Sequence, residues 1–274
     1  MILRPEEVTL VAERVRHILC LSGGKDSTAL AIYMRDRVPD MEYVFADTQK
    51  ELPETYEYLT RLEAYLGKQI VRLNVERGFD HWLEMYSGYL PSSRMRWCTR
   101  QLKIKPFEDY VGDDPVISYV ALRADEDRVG YLSTKPNIRT VYPFREDGIT
   151  KADVFRILEE SGLGLPEYYK WRSRSGCYFC FFQRKIEWVG LLQHHPDLFE
   201  KAKAYEKIDP VTGQRFTWSE SESLEELSRP ERVAEIIRQH TQSQCKRSPN
   251  RPLLDILSDD SSDEGELPCL VCQL

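Results

Sequence analysis

The chain has 274 residues, of which 41% are hydrophobic and 30% charged, enough for one large α/β domain with a smaller appendage and too apolar for a disordered protein. No apolar run approaches the roughly 18 to 20 residues of a membrane span, and MILRPEEVTL carries acids where a signal peptide carries bases, so a cytoplasmic protein is expected. The net charge of −7 does not exclude a nucleic acid partner: residues 253–274 hold Asp255, Asp259, Asp260, Asp263, Glu264 and Glu266 and no Lys or Arg, leaving the body close to neutral.

The predicted elements begin with a short polar helix over 5–15. HILCLS (17–22) follows as a buried strand that runs into a Gly-Gly turn, and then a helix over Asp26 to Arg37. MEYVFADT (41–48) reads as a second strand, Pro53 to Leu66 as a helix opened by Pro-Glu, and QIVRLN (69–74) as a third strand, which gives βαβαβ. A helical piece near Asp80 to Tyr86 precedes a basic amphipathic helix over Trp97 to Tyr110. Strands follow at 116–122 and 140–144, and Thr150 with Asp153 caps a helix that Gly162 ends. The pattern predicts a mostly parallel sheet wrapped by helices, with ligands beyond the carboxyl ends of the strands. Residues 1–182 form the expected main domain, 183–242 a helical extension with helices near 183–207 and 220–240, and 243–274 a disordered acidic tail.

SGGKDS, Ser22 to Ser27, lies between a predicted strand and helix, where a glycine turn lets backbone amides and a helix N-terminus close on phosphate. It lacks the G-x-x-x-x-G-K-S/T spacing of a Walker loop. Gly23 and Gly24 permit close approach, Ser22 and Ser27 offer hydroxyls and Lys25 a charge, while Asp26 suits a helix cap or a magnesium ligand. The hexapeptide resembles the pyrophosphate loop of N-type ATP pyrophosphatases. That resemblance implies ATP and Mg2+ as ligands and release of pyrophosphate as a substrate is adenylated.

FADTQKELPETYEYL (45–59) resembles the DTG-x-x-x-PET region of phosphoadenylyl sulfate reductases, with Gln49 in place of the glycine, and ALRADEDR (121–128) resembles that family's G-x-R-x-x-E/D-S-x-R stretch. With SGGKDS they place the chain near the adenosine nucleotide α hydrolase superfamily and imply its HUP-type α/β fold. By that resemblance Asp47 and Thr48 lie near the nucleotide, Arg123 and Arg128 meet anionic groups, and Asp125 joins Lys25, Asp26 and Arg123 in the catalytic set. The E-C-G-I/L-H segment of true sulfonucleotide reductases is absent from the sequence, and the intact SGGKDS implies ATP cleavage rather than reduction of a ready-made sulfonucleotide.

Seven cysteines argue against a secreted disulfide framework. Cys177 and Cys180 form C-x-x-C, and 78 residues separate Cys177 from Cys98 in RMRWCTRQLKIKP, so three thiolates can converge. The layout resembles the ligands of iron-sulfur adenylyl sulfate reductases, with Trp97 where a paired cysteine would stand. It implies three protein ligands for a 4Fe-4S cluster, as in ATP-dependent tRNA thiolases, where the fourth iron can take up sulfide. Zinc is the alternative, and C-x-x-C alone leaves it open. Cys20 reads as a small buried hydrophobe, Cys245 carries no pattern, and Cys269 and Cys272 repeat C-x-x-C on the tail.

Arg94, Arg96, Arg100, Lys103 and Lys105 surround Cys98, and Lys170, Arg172, Arg174, Arg184 and Lys185 surround Cys177 and Cys180. Together they predict a positive mouth suited to a polyanion and thiols of depressed pKa. Among ATP pyrophosphatases these motifs most resemble the DndC- and SspD-type proteins of DNA phosphorothioate modification. That implies a DNA backbone phosphate as acceptor rather than tRNA, a cysteine desulfurase as sulfur donor, and companion DNA-modification proteins. A tRNA thiolase, a sulfonucleotide reductase and a nonenzymatic nucleotide-binding adaptor are the alternatives.

Overall fold

The computed structural model describes residues 15–74, 77–127, 130, 133–208, 213–219 and 221–246. The helix expected over 5–15, Arg128, and the tail with Cys269 and Cys272 lie outside them.

Five parallel strands form the sheet: β1 (Arg16–Leu21), β2 (Glu42–Asp47), β3 (Ile70–Asn74), β4 (Val116–Tyr119) and β5 (Ile138–Val141), in the order β3-β2-β1-β4-β5. Central β1 is covered on both faces, which is why it is a continuous apolar run. Leu19 and Leu21 face one core with α1 (Lys25–Met34), α2 (Pro53–Leu66) and α7 (Lys151–Glu160), and Ile18 and Cys20 face another with Phe107 and Val111. The alternation follows from the two-residue period of a strand. Chain order reverses at β1, whose neighbours are β2 and β4, so the loops after these strands meet at the switch point where such sheets bind ligands.

Two elements differ from the expectation. The single helix predicted over Trp97 to Tyr110 is α4 (Trp97–Thr99), a π-helical turn (Arg100–Ile104) and α5 (Lys105–Val111). Pro106 supplies no amide and its ring crowds the carbonyl four residues earlier; the chain widens, and Lys105 N donates to Arg100 O, five residues back. The strand expected over 140–144 runs from Ile138 to Val141 instead, because Pro143 opens α6 (Pro143–Glu146).

After α3 (Phe79–Met85) and the sheet's last helices come α8 (Lys185–His194), α9 (Pro196–Lys203), a two-residue hairpin pair β6 (Lys207–Ile208) and β7 (Arg215–Phe216), α10 (Leu224–Leu227) and α11 (Pro230–Lys246). α11 runs through Ser243, so helix covers the first residues of the segment assigned to the tail. These helices share one aromatic core with the middle of the chain: Trp188, Phe199 and Trp218 pack with Phe79, Trp97, Tyr168 and Phe179. Trp97, standing where a paired cysteine was expected, is a core residue stacked on Tyr86 with its indole N–H on Tyr89 O at 3.0 Å. No helix among the described residues is long and apolar enough to cross a membrane.

Candidate functional site

The phosphate-type loop connects β1 to α1 and is held from both sides. Gly23 has φ +69°, and a Cβ there would lie 2.5 Å from Thr55 Cγ2, so the Thr of the PET motif packs directly on the glycine. Ser22 N donates to Ser27 Oγ at 3.1 Å, and Gly24 N to Ser22 Oγ at 3.3 Å, which ties the loop across its own ends. From the other side Tyr168 Oη donates to Gly23 O at 2.7 Å, Lys25 N donates to Tyr169 Oη at 3.1 Å, and Ser175 Oγ donates to Ser22 Oγ at 3.2 Å. Gly23→Ala therefore meets both a left-handed backbone and an overlap, and is expected to destabilise the chain by about 1 to 3 kcal/mol. Urea unfolding of the variant beside wild type measures this; unchanged stability would mean the loop relaxes freely.

Asp26 does not cap α1, whose N-terminus has no side-chain cap. Its carboxylate bridges two cations instead, with Oδ2 2.7 Å from Lys25 Nζ and Oδ1 2.8 Å from Arg123 Nη1. Arg123 comes from the loop after β4 and also reaches Asp125 at 2.9 Å and Glu126 at 2.9 Å. Burial works against the Arg123 charge, but Asp26, Glu126 and Asp125 outweigh it and hold the guanidinium pKa above its ordinary value. The structure thus brings Lys25, Asp26, Arg123 and Asp125 into one ion-pair chain. A cleft of about 300 to 1,000 Å3 is typical of small-molecule sites; one of ≈ 550 Å3 opens here, lined by Lys25, Arg123, Lys151, Tyr169, Arg172 and Arg184 and walled by α8 and α11.

Asp47 and Thr48 end β2 and are buried. Asp47 Oδ1 accepts from Gln49 N and from Tyr56 Oη, both at 2.8 Å. Gln49, in the position of the glycine of the resembling motif, has φ +60°, the left-handed conformation that favours glycine. That turn directs Thr48 and Glu51 at the C-x-x-C segment: Thr48 Oγ1 is 3.2 Å from Cys177 Sγ and donates to Glu51 Oε1 at 2.9 Å. Tyr178 N donates to Lys50 O at 2.8 Å, pinning the two loops together.

Cys98, Cys177 and Cys180 are all half-buried and lie within electrostatic reach of Lys103, on the π-helical turn. Burial opposes the Lys103 charge, yet Glu51, Cys177, Cys180 and Cys98 prevail and keep its pKa above the usual lysine value. The expected depression of the thiol pKa values is reversed at Cys98 and Cys177. Burial pushes Cys98 up to about 11, and burial with the neighbouring Glu51 charge raises Cys177 well above the ordinary thiol range. Among the described residues no three His, Cys, Asp or Glu side chains form a group able to hold a single metal ion. Cys20 is buried in the sheet and pushed up to about 12 by burial.

The positive mouth is narrower than the basic runs suggest. Lys185 pairs with Glu222 at 2.7 Å, Arg184 with Glu187 at 3.2 Å, and Lys170 with Glu167. Arg172 is 2% exposed and donates to Gly176 O and Cys177 O, both at 2.9 Å, so it orders the cysteine loop from beneath. Arg96 and Arg174 flank the Phe182 ring at 5.2 Å each. Trp171 is covered by Gly190 on one side and stacked on His194. Glu51 and the tyrosine pair were not singled out from the sequence, where Lys103 figured only as one of the bases around Cys98; only an acid inside an otherwise reductase-like motif hinted at the first.

Residues 16–178 match the family profile of the phosphoadenosine phosphosulfate reductase domain. Two uncharacterized proteins of Methanocaldococcus jannaschii are similar, one 28% identical over 67% of this chain and the other 25% identical over 74% of it. The chain spans 40% and 49% of their respective lengths. Among solved structures, phosphoadenylyl-sulfate reductase from Candida auris, as a phosphate complex, superimposes with TM-score 0.47 at 14% identity over 61% of this chain and 84% of that one. The U34-tRNA thiolase NcsA from Methanococcus maripaludis, with its 4Fe-4S cluster, gives TM-score 0.42 at 14% identity over 70% of this chain and 71% of that one.

Proposed function

Because the chain belongs to the phosphoadenosine phosphosulfate reductase domain family, we propose that it is an ATP pyrophosphatase that adenylates an acceptor oxygen so that sulfur can replace it. The observation that carries this reading is the ion-pair chain Lys25–Asp26–Arg123 on an intact SGGKDS loop, tied through Ser175 to the segment that bears Cys177. One half of the site suits a nucleotide polyphosphate and the other a thiophilic chemistry, and one hydrogen bond separates the two loops.

In the proposed reaction an acceptor oxygen attacks the α-phosphorus of ATP, an O–P bond forms, the bond to the β-phosphate oxygen breaks and pyrophosphate leaves. A sulfur nucleophile then attacks the adenylated centre; AMP departs with the former acceptor oxygen. Lys25 exchanges its contact with Asp26 for phosphate oxygens, which leaves Asp26 Oδ2 for Mg2+, while Arg123 stays held by Asp125 and Glu126 and faces the charge that develops on the leaving group. Thr55 and Tyr168 fix the loop backbone, so once Lys25 has turned to the phosphates no further rearrangement of the loop is needed.

Cys98, Cys177 and Cys180 all act electrostatically on the one ammonium of Lys103, and the chemistry of this three-thiol donor set suits a thiophilic group. A 4Fe-4S cluster held by these three thiols would supply the binding position for incoming sulfide. The acceptor proposed is a DNA backbone phosphate, with a cysteine desulfurase supplying sulfur and companion DNA-modification proteins supplying the strand.

The test is anaerobic purification with iron, zinc and acid-labile sulfide analysis, followed by ATP turnover with sulfide and either duplex DNA, tRNA or adenylyl sulfates. Pyrophosphate and AMP release coupled to phosphorothioate in DNA supports the full reading. Thiolated tRNA, or sulfite from an adenylyl sulfate, would replace the acceptor, and ATP binding without turnover would make the chain a nucleotide-binding adaptor.

A further inference from the structure

Glu51 sits between β2 and α2 at 7% exposure. Its Oε1 accepts from Thr48 Oγ1 at 2.9 Å and from the Cys177 thiol at 3.6 Å, whereas Oε2 has no hydrogen-bond partner among the described residues. A buried carboxylate oxygen left in this way is costly, and Glu51 makes no close ion pair there, although Lys103 lies within electrostatic reach. The loop that carries it cannot drift away. Gln49 turns through the left-handed region, and Lys50 O is bound by Tyr178 N inside the C-x-x-C segment. Glu51 touches the Cys177 thiol directly, and its charge acts on the same Lys103 ammonium as all three thiols.

We propose that Glu51 is the fourth protein ligand of the metal group held by Cys98, Cys177 and Cys180, an oxygen ligand that gives way to sulfide. The inference rests on the metal reading above. A carboxylate is a hard donor and binds a thiophilic centre more weakly than a thiolate does, so hydrosulfide can take its place as the carboxylate withdraws to the Thr48 hydroxyl. A fourth cysteine would close the site; no fourth ligand at all would leave it open to any small thiol. The orphan Oε2 supplies the ligating lone pair, and the Thr48 contact to Oε1 orients it, as outer hydrogen bonds orient ligating carboxylates in metal sites.

The experiment uses the full chain, reconstituted anaerobically with ferrous iron and sulfide, as wild type, Glu51→Gln, Glu51→Ala and Glu51→Cys. Circular dichroism establishes that each variant is folded, and Glu51→Gln keeps the shape and the Thr48 contact if the smaller variant does not fold. After removal of excess sulfide, iron content and the electron paramagnetic resonance spectrum of the reduced protein are followed as hydrosulfide is added back. Wild type is expected to change spectrum on addition, Glu51→Gln and Glu51→Ala to start from an altered spectrum and respond at roughly tenfold lower hydrosulfide, and Glu51→Cys not to respond. Identical spectra and identical responses in wild type and all folded variants would overturn the assignment of Glu51 while leaving the cluster intact. A wild type that takes up Zn2+ but no iron and sulfide would overturn the sulfide-exchange role, since the described thiols and carboxylates form no group able to hold a single metal ion. A wild-type chain that retains neither iron nor zinc removes the metal reading itself.

Discussion

Asp26→Asn is expected to lower pyrophosphate release from ATP by about 10² to 10³-fold, the range typical for loss of a single preorganised electrostatic contact, with the fold unchanged. Both carboxylate oxygens of Asp26 are engaged by cations, at 2.7 Å to Lys25 and 2.8 Å to Arg123, and both ends of each pair are largely buried. The amide keeps the shape and loses the charge. Arg123 retains Asp125 and Glu126, whereas the carboxylate charge that Lys25 releases on turning to the phosphates, and that would take up Mg2+, is lost. Lys25→Ala should cost a similar factor, and the double variant little more than either single one, because the two act as a unit. The loop itself should persist, since Tyr168, Tyr169 and Ser175 hold its backbone and Ser22 without using either side chain. A coupled pyrophosphate assay measures the rate and thermal unfolding checks the fold. Turnover within threefold of wild type in both single variants would remove this loop from the chemistry.

The sheet was legible because parallel strands are covered on both faces and write themselves as apolar runs: HILCL and YVFA match β1 and β2 to within a residue. The SGGKDS loop was legible because its residues are contiguous. The partners that hold it were not, since Tyr168, Tyr169 and Ser175 come from some 145 to 153 positions further along. The three cysteines could be grouped by resemblance, but nothing local in LKIKP announces that Lys103 turns inward on a π-helical turn, or that Glu51 reaches Cys177. Charge counting misled at the mouth: Arg172 and Arg184 look like surface bases in sequence, yet one is buried beneath the cysteine loop and the other pairs with a buried acid. The same burial reversed the expected thiol pKa shifts, because desolvation of Cys98 and Cys177 outweighs the nearby positive charge.

Glu187→Ala is expected to cost about 3 to 5 kcal/mol, as removal of one partner from a buried ion pair does. The carboxylate is fully buried and accepts from Ser173 N at 2.8 Å, Ser173 Oγ at 2.6 Å and Arg184 N at 3.1 Å. It is also the negative charge that faces Arg172 and Arg184, and Arg172 spends its own donors on the carbonyls of Gly176 and Cys177. Without Glu187 the guanidinium beneath the cysteine loop loses the counter-charge that faces it, so the loop should loosen along with the fold. Burial alone would raise the Glu187 pKa, but the Ser173 hydrogen bonds and the two arginines prevail and hold it below the ordinary glutamate value. A carboxylate depressed in the folded state adds stability that is complete above the unfolded pKa, about 4.3, and fades as the pH falls below it. The stability difference between wild type and Glu187→Gln should accordingly be largest near neutrality and shrink as the pH falls below about 4. Urea unfolding of the pair across that window, with alkylation rates of Cys177 as the local readout, measures both effects. A difference that stays constant with pH would show that Glu187 acts through its hydrogen bonds alone, and alkylation of Cys177 at wild-type rates in a folded Glu187→Gln would uncouple the acid from the cysteine loop.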